Sequence, residues 1–183
     1  MAAGAESVVL TDGDGGWMGD ELPQGDVGPQ DKGLNLMGLT VVGDTLYASL
    51  RLEDKVVAFD WRTGKRLKEF PLERPVGLAA DRDGSLLVVS GKRLVRLDPR
   101  TGATSMVVSG LSSPWDVALD RKGRICVTDC GRAMQVKVFG PDGRPLGAIG
   151  KAGGRPWVGR YDPEGMLMPA GIVVDARGKV WVT

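Results

Sequence analysis

The sequence predicts an all-β fold of stacked four-stranded antiparallel units, and three observations predict it. First, one phrase recurs, a small or apolar residue followed by Gly or Asp and an apolar-leaning run. Its copies are Met37-Gly38-Leu39-Thr40-Val41-Val42, Pro75-Val76-Gly77-Leu78-Ala79-Ala80-Asp81, Pro114-Trp115-Asp116-Val117-Ala118-Leu119-Asp120 and Pro169-Ala170-Gly171-Ile172-Val173-Val174-Asp175. The Gly or Asp of the phrase falls at 38, 77, 116 and 171, so the spacings are 39, 39 and 55 residues. Second, 28 Gly and 11 Pro among 183 residues punctuate the chain into short runs. Third, no stretch carries the 3.6-residue apolar period of a buried helix, so almost no helix is expected. A strand-built period near 40 is the signature of a propeller blade, which cannot bury its own faces and must stack on its neighbours. The expected fold is a partial β-propeller with about three full blades and parts of two.

The elements follow in order within each period. After the opening run comes a turn at Asp83-Gly84, Lys122-Gly123 or Arg177-Gly178, then a second run at Ser85 to Val89, Arg124 to Thr128 or Lys179 to Thr183. Gly between two β-rich runs supplies the positive φ that a hairpin turn needs. Third runs read Val56 to Asp60, Leu94 to Asp98 and Gln135 to Phe139, and each ends in a turn of nearly one recipe: Trp61-Arg62-Thr63-Gly64, Pro99-Arg100-Thr101-Gly102 and Pro141-Asp142-Gly143. A more polar fourth run, such as Lys65 to Phe70 or Ala103 to Val108, completes a four-stranded blade. The blades are expected at 36–74, 75–113 and 114–168, the last including a long connector, with a truncated blade starting at 169–183.

The two ends carry further expectations. The final run stops at Val180-Trp181-Val182-Thr183, inside a second strand, which reads as a fragment because an open ladder leaves unpaired backbone groups. Ser7-Val8-Val9-Leu10-Thr11 reads as the last strand of an earlier blade, followed by a Gly- and Asp-rich connector that completes the 1–35 segment. That connector has a counterpart in the insertion at 150–168. One carries Gly15-Gly16-Trp17-Met18-Gly19 and the other Gly153-Gly154-Arg155-Pro156-Trp157-Val158-Gly159. Connectors this long in a compact fold are uncommon and often functional.

Composition narrows the function classes. A hydrophobic content of 42%, a charged content of 26% and a formal net charge of +1 give no long-range pull toward nucleic acid or an anionic membrane. No run of 18 apolar residues exists to span a bilayer, and MAAGAESVVL has neither the basic start nor the apolar stretch of a signal peptide.

Residues 114–150 then show the pattern Pro-x-Gly/Asp-apolar-apolar-apolar-Asp, a Gly turn, Val127-Thr128-Asp129, Gln135-Val136-Lys137-Val138-Phe139 and Asp142-Gly143. This resembles the NHL repeat, and Ile149-Gly150-Lys151-Ala152-Gly153-Gly154 leading to Met168-Pro169-Ala170-Gly171 is similar to the Gly-rich connector between NHL blades. The resemblance covers about residues 36–183. It implies that each opening run is the innermost strand of its blade, lining a central channel in a ring of about six blades. NHL-type propellers include enzymes, RNA-binding modules and protein-binding modules, so the fold does not name the function. The resemblance leans toward an extracytoplasmic location without fixing one.

Related propellers that do chemistry offer specific tests. Peptide-amidating and streptogramin lyases of similar architecture depend on histidines, and this chain has 0. The regucalcin and gluconolactonase family sets a divalent metal on the axis through an Asn or Asp just before the Gly of such phrases. The matching residues here are Met37, Val76, Trp115 and Ala170, none able to ligate a hard cation. No metal or other cofactor is expected on this stretch, although blades outside the sequence could supply ligands. Asp116 stands where the other copies have Gly38, Gly77 and Gly171. It reads either as an acceptor for backbone donors between blades or as an axial ligand or general base with no partner carboxylate at an equivalent position.

Other polar features have structural readings. Asp81, Asp120 and Asp175 recur at one repeat position, as do Asp60 and Asp98, and an Asp before a turn satisfies its backbone donors. Cys126 and Cys130 lie too far apart along an extended strand for a disulfide, about 13 Å between Cα atoms. Asp12-Gly13-Asp14-Gly15 hints at a calcium turn but lacks the remaining ligands of an EF-hand loop. Arg62, Lys65, Arg66 and Lys68 surround an outer hairpin, where charge deters edge pairing.

What remains is an apolar and aromatic rim. Trp115 and Asp116 on an opening run, with Trp17, Arg155 and Trp157 on the two long connectors, are the candidate ligand-binding residues. Trp115 and Trp157 also read as wedges in the core between blades. The functional expectation is a binding or scaffolding module for a protein, peptide or small-molecule ligand on the face carrying the connectors. The alternative is part of a lactonase, hydrolase or lyase propeller whose catalytic ligands lie in blades outside this sequence, and an RNA-binding propeller is disfavoured by the charge.

Overall fold

The structure is a computed structural model and describes residues 35–156, 158 and 160–183. The strand expected at Ser7 to Thr11, the Asp12-Gly13-Asp14-Gly15 turn, Trp17 and Trp157 lie outside the described residues.

Three four-stranded antiparallel sheets and one two-stranded hairpin follow one another along the chain. The first sheet comprises β1 (Leu36–Val42), β2 (Thr45–Leu50), β3 (Lys55–Asp60) and β4 (Arg66–Pro71). The second comprises β5 (Pro75–Ala80), β6 (Leu86–Ser90), β7 (Arg93–Leu97) and β8 (Thr104–Val108). The third comprises β9 (Pro114–Leu119), β10 (Ile125–Asp129), β11 (Gln135–Phe139) and β12 (Pro145–Ile149), and β13 (Ile172–Val174) pairs with β14 (Val180–Val182). Strand order within every sheet is sequence order, and the first strands pack side by side in the order β1, β5, β9, β13. This is a radial arc of propeller blades, and the described sheets do not close into a ring. A 3-10 turn at Arg51–Glu53 is the helix among the described residues.

Local chemistry explains the hairpins. Asp81, Asp120 and Asp175 each accept the N–H of the turn glycine, at 3.0 Å from Gly84, Gly123 and Gly178, and each of these glycines sits near φ +80°. The carboxylates add to this: Asp120 Oδ1 accepts from Lys122 and Arg124 N–H at 2.8 Å, and Asp175 Oδ1 from Arg177 at 2.8 Å and Lys179 at 2.9 Å. Asp60 and Asp98 do the same in the turns after β3 and β7. The recurring aspartates therefore hold the blades, as the repeat position predicted. A turn not foreseen joins β1 to β2 through Gly43-Asp44, with Gly43 at φ +58°.

The core lies between sheets. Leu86 and Val88 of β6 point into a cluster with Tyr47, Val56 and Phe70 of the first sheet, while Leu87 and Val89 point into one with Val117, Ile125 and Val127 of the third. Successive side chains on a strand face opposite sides, so a strand sandwiched between two blades reads as an unbroken apolar run. Each fully buried leucine here contributes about 1.5–3 kcal/mol. The outer strand β12 is exposed instead, in all five of its residues. The basic cluster at the first outer hairpin is engaged within the fold, with Arg62 on Asp44 at 3.2 Å, Arg66 on Glu69 at 2.7 Å and Lys68 Nζ donating to the Arg100 carbonyl at 3.1 Å.

The repeat phrase marks where blades meet. A Cβ on Gly38 would lie 2.8 Å from the Val76 carbonyl oxygen, and one on Gly77 would lie 2.5 Å from the Asp116 Cα. Glycine is required there because adjacent inner backbones touch. Pairing within each inner hairpin is also irregular at this position, between Leu36 and Gly38, between Pro75 and Leu78, and between Val127 and Asp129.

Candidate functional site

Antiparallel alternation sorts the loops onto two faces. The turns containing Gly84, Gly123 and Gly178 lie on one. The other face carries the links from β2 to β3, β4 to β5, β6 to β7 and β8 to β9, together with the long connector before β13 and the start of β9 with Trp115.

On that second face Trp115 is 37% exposed and borders a groove of about 190 Å³. Its floor includes Val76 and Pro114, both buried. Its walls are polar and mostly cationic: Arg51, Arg74, Lys92, Ser112 and Ser113. These come from four successive links, so the groove spans the junctions of three blades.

Two devices shape the walls. Arg74, directly before Pro75, is held at φ +42°, a left-handed conformation that costs a non-glycine residue about 1–2 kcal/mol. The Asp54 carboxylate, itself on a residue at φ +50°, accepts the Arg74 N–H at 2.7 Å and locks it. On the other wall the buried Asp129 carboxylate accepts the N–H groups of Ser112 at 3.0 Å and Ser113 at 2.7 Å, which fixes the link into β9. Asp129 was missed as a site-shaping residue; its place at the end of Val127-Thr128-Asp129 was visible, but its acceptors' partners come from a link 16 residues away.

The acids on these links are already engaged. Glu53 pairs with Lys55 at 2.7 Å, whose hydrogen bond holds its carboxyl below the usual range, and Glu73 pairs with Arg93 at 2.8 Å. Arg51 also interacts within the chain. The Arg74 guanidinium, the Lys92 ammonium and the Ser112 and Ser113 hydroxyls have no partner among the described residues.

The remaining candidates are distributed. Asp116 lies beside Trp115, yet its carboxylate reaches the next blade: Oδ1 accepts from Val117 N–H at 2.8 Å and Oδ2 from Ile172 N–H at 3.1 Å. Burial pushes this carboxyl above the usual range, and the two N–H groups partly offset that. Thr128 completes the joint by donating to the Ala170 carbonyl at 2.7 Å and accepting the Asp116 N–H at 2.9 Å. Arg155 lies on the long connector, its guanidinium 5.5 Å from the Tyr161 ring centre and its N–H on the Met166 carbonyl at 3.0 Å, and it does not line the Trp115 groove. Of the apolar rim, Val76 belongs to the core, Met37 packs against it and Trp115 is exposed to solvent.

Both cysteines are free thiols, Cys126 buried and Cys130 donating to the Pro169 carbonyl at 2.8 Å. Burial raises both thiols above their usual pKa. Among the described residues no group of three or more His, Cys, Asp and Glu side chains could hold a metal ion, and no helix is long and apolar enough to cross a membrane.

Residues 111–139, covering the link into β9 through the end of β11, match the family model of the NHL repeat. That segment is an NHL repeat, set in a propeller arc. No curated protein matches it. Among solved structures, the arc is similar to a catalytically inactive virginiamycin B lyase from Staphylococcus aureus with quinupristin, at 17% identity and a TM-score of 0.63, covering 84% of this chain and 50% of the lyase. It is also similar to a candidate gluconolactonase, at 20% identity and a TM-score of 0.62 over 82% of this chain and 56% of that one. A third likeness is to a chain of a nidogen/laminin complex, at 15% identity and a TM-score of 0.62 over 80% of this chain and 53% of that one. At these identities the likeness is one of fold, and the arc spans about half the length of these structures.

Proposed function

We propose that the NHL arc is a binding module that takes a protein, peptide or small-molecule ligand on the face carrying its long connector. One observation carries this reading: a third-exposed Trp115 borders a groove whose Arg74 and Lys92 side chains have no partner among the described residues. Exposed tryptophan beside convergent polar groups is the usual make-up of a binding hot spot. The likeness to a chain of a nidogen/laminin complex is compatible with protein binding.

A second reading, part of a propeller enzyme, draws on the likeness to the lyase. The sequence holds no histidine, so a histidine base for such chemistry would come from elsewhere in a longer chain.

Panning the protein against a random peptide library tests the binding reading. Enriched peptides are expected to lose at least tenfold in affinity for Trp115→Ala while its thermal midpoint stays within a few degrees. Peptides that bind the variant as tightly would move the function away from this groove.

A further inference from the structure

We infer that the ligand of this groove is an acidic peptide segment that presents an aromatic or large apolar side chain next to carboxylates. The inference rests on the binding reading above and names the chemistry of its partner.

The charge balance of the groove carries the argument. Glu53 and Glu73 are paired with the cations Lys55 and Arg93, while the Asp54 and Asp129 carboxylates are turned to backbone N–H groups, of Arg74 and of Ser112, Ser113 and Gly131, and away from the groove's cationic side chains. Each of these bonds is 3.1 Å or shorter. The cations inside the groove are not used in the same way. Arg74 and Lys92 are exposed and have no side-chain partner among the described residues, whereas Arg51 is engaged within the chain. A pair of unpartnered cations over a concave surface attracts carboxylates, and Arg offers them a two-pronged hydrogen-bonding fork.

Arg74 is also held in place. Its backbone is fixed in a left-handed conformation by Asp54, so the base of its side chain does not wander before a ligand arrives. Strain of this kind, held by surrounding bonds, is found where a side chain must be aimed.

The second half of the ligand follows from Trp115. Trp115 lines the groove together with Pro114 and Val76, an apolar surface that carboxylates alone would leave uncovered. An aromatic side chain stacks on such a surface. Bare phosphate or carboxylate would meet only the cations. The hydroxyls of Ser112 and Ser113, on residues that line the same groove, are donors that suit peptide carbonyls or carboxylates. A polynucleotide would also satisfy cations and an aromatic, and a homopolymer probe separates it from a peptide.

The test uses three probes on the intact protein. One is a fluorescein-labelled hexapeptide alternating Asp or Glu with Trp; the second is its Asn/Gln isostere; the third is a labelled uridine homopolymer. Polarisation is read for the wild type, Trp115→Leu, Lys92→Gln and Arg74→Gln, with circular dichroism confirming fold. Lys92 is exposed and bonds only through its backbone, so its variant remains informative if Arg74→Gln fails to fold. The expected result is that the acidic peptide binds at least tenfold more tightly than its isostere, weakens several-fold on raising salt, and loses at least fivefold on Lys92→Gln. Equal binding of acidic and neutral peptides, both abolished by Trp115→Leu, would overturn the acidic class while leaving the groove as a binding site. No binding by either peptide would overturn the inference, and if peptides enriched from a library are also indifferent to Trp115→Leu, the binding reading falls with it. Tighter binding of the homopolymer than of the acidic peptide would overturn the inference in favour of nucleic acid.

Discussion

The Asp116 carboxylate on β9 accepts the backbone N–H of Ile172 on β13, 56 residues away, at 3.1 Å. A single side chain therefore ties the third blade to the strand pair that follows it, at the repeat position where Gly38 and Gly77 let inner strands meet backbone to backbone.

Removing this tie should cost stability. Asp116→Ala leaves the N–H groups of Val117 and Ile172 without their side-chain acceptor, and a buried donor left unpaired costs about 1–3 kcal/mol. Urea denaturation followed by tryptophan fluorescence reads the shift in midpoint. An unchanged midpoint would mean that water replaces the carboxylate at no loss.

Glycine at the tie is required for space as well as conformation. Gly77→Ala puts a methyl group 2.5 Å from the Asp116 Cα, a backbone clash that no rotamer relieves, and overpacking of this kind costs about 1–3 kcal/mol or more. Gly43→Ala is the control: it meets nothing within 4 Å and carries only the strain of φ +58°. The expected order of thermal midpoints is wild type, then Gly43→Ala, then Gly77→Ala.

Thr128 predicts a third result. Its hydroxyl serves the Ala170 carbonyl and the Asp116 N–H at once, so Thr128→Val leaves two groups unpaired and should lower stability by about 1–3 kcal/mol. A Thr128→Ser variant keeps the hydroxyl and should recover most of the loss. Calorimetry on the two variants separates the hydrogen bonds from the methyl group.

Two aspartates should respond to pH in opposite directions. Burial pushes the Asp120 carboxyl up, but Arg124, 2.6 Å away, and the N–H groups of Arg124 and Lys122 bring it below its ordinary value. Its folded pKa is depressed, so it stabilises the fold above about pH 4, the unfolded value, and that stability is lost as pH falls through the folded one. Asp116 is raised by burial, so its contribution is fully present below about pH 4 and declines as pH rises through its folded pKa. Arg124→Gln should therefore flatten the acid limb of a stability–pH curve, and Asp116→Asn should remove the decline above it. Parallel curves for all three proteins would show that neither carboxyl governs the dependence.

The blades were legible because their determinants are local. The turn after each inner strand is written in consecutive residues, as in Asp120-Arg121-Lys122-Gly123, where one carboxylate and one positive-φ glycine close the hairpin. The second strand was legible for the same reason, since the run Ser85 to Val89 follows directly on the Asp83-Gly84 turn, and the structure shows it covered on both sides. The groove was not. Trp115 stood out as a candidate, but Arg51, Arg74 and Lys92 lie on separate links, and only the stacking of blades brings them to it. The unpaired state of Arg74 and Lys92 was equally hidden, because it depends on which acids Lys55 and Arg93 had already taken.

The aspartate-glycine turns that hold each hairpin together are on one face of the arc, and the side chains lining the groove are on the other. Positions 74, 92 and 115 can accordingly be varied together, as in a combinatorial library, with the hairpin closures left untouched. An arc of this kind would change what it recognises by drifting at a handful of surface positions, and a designer could retarget it the same way without redesigning the scaffold.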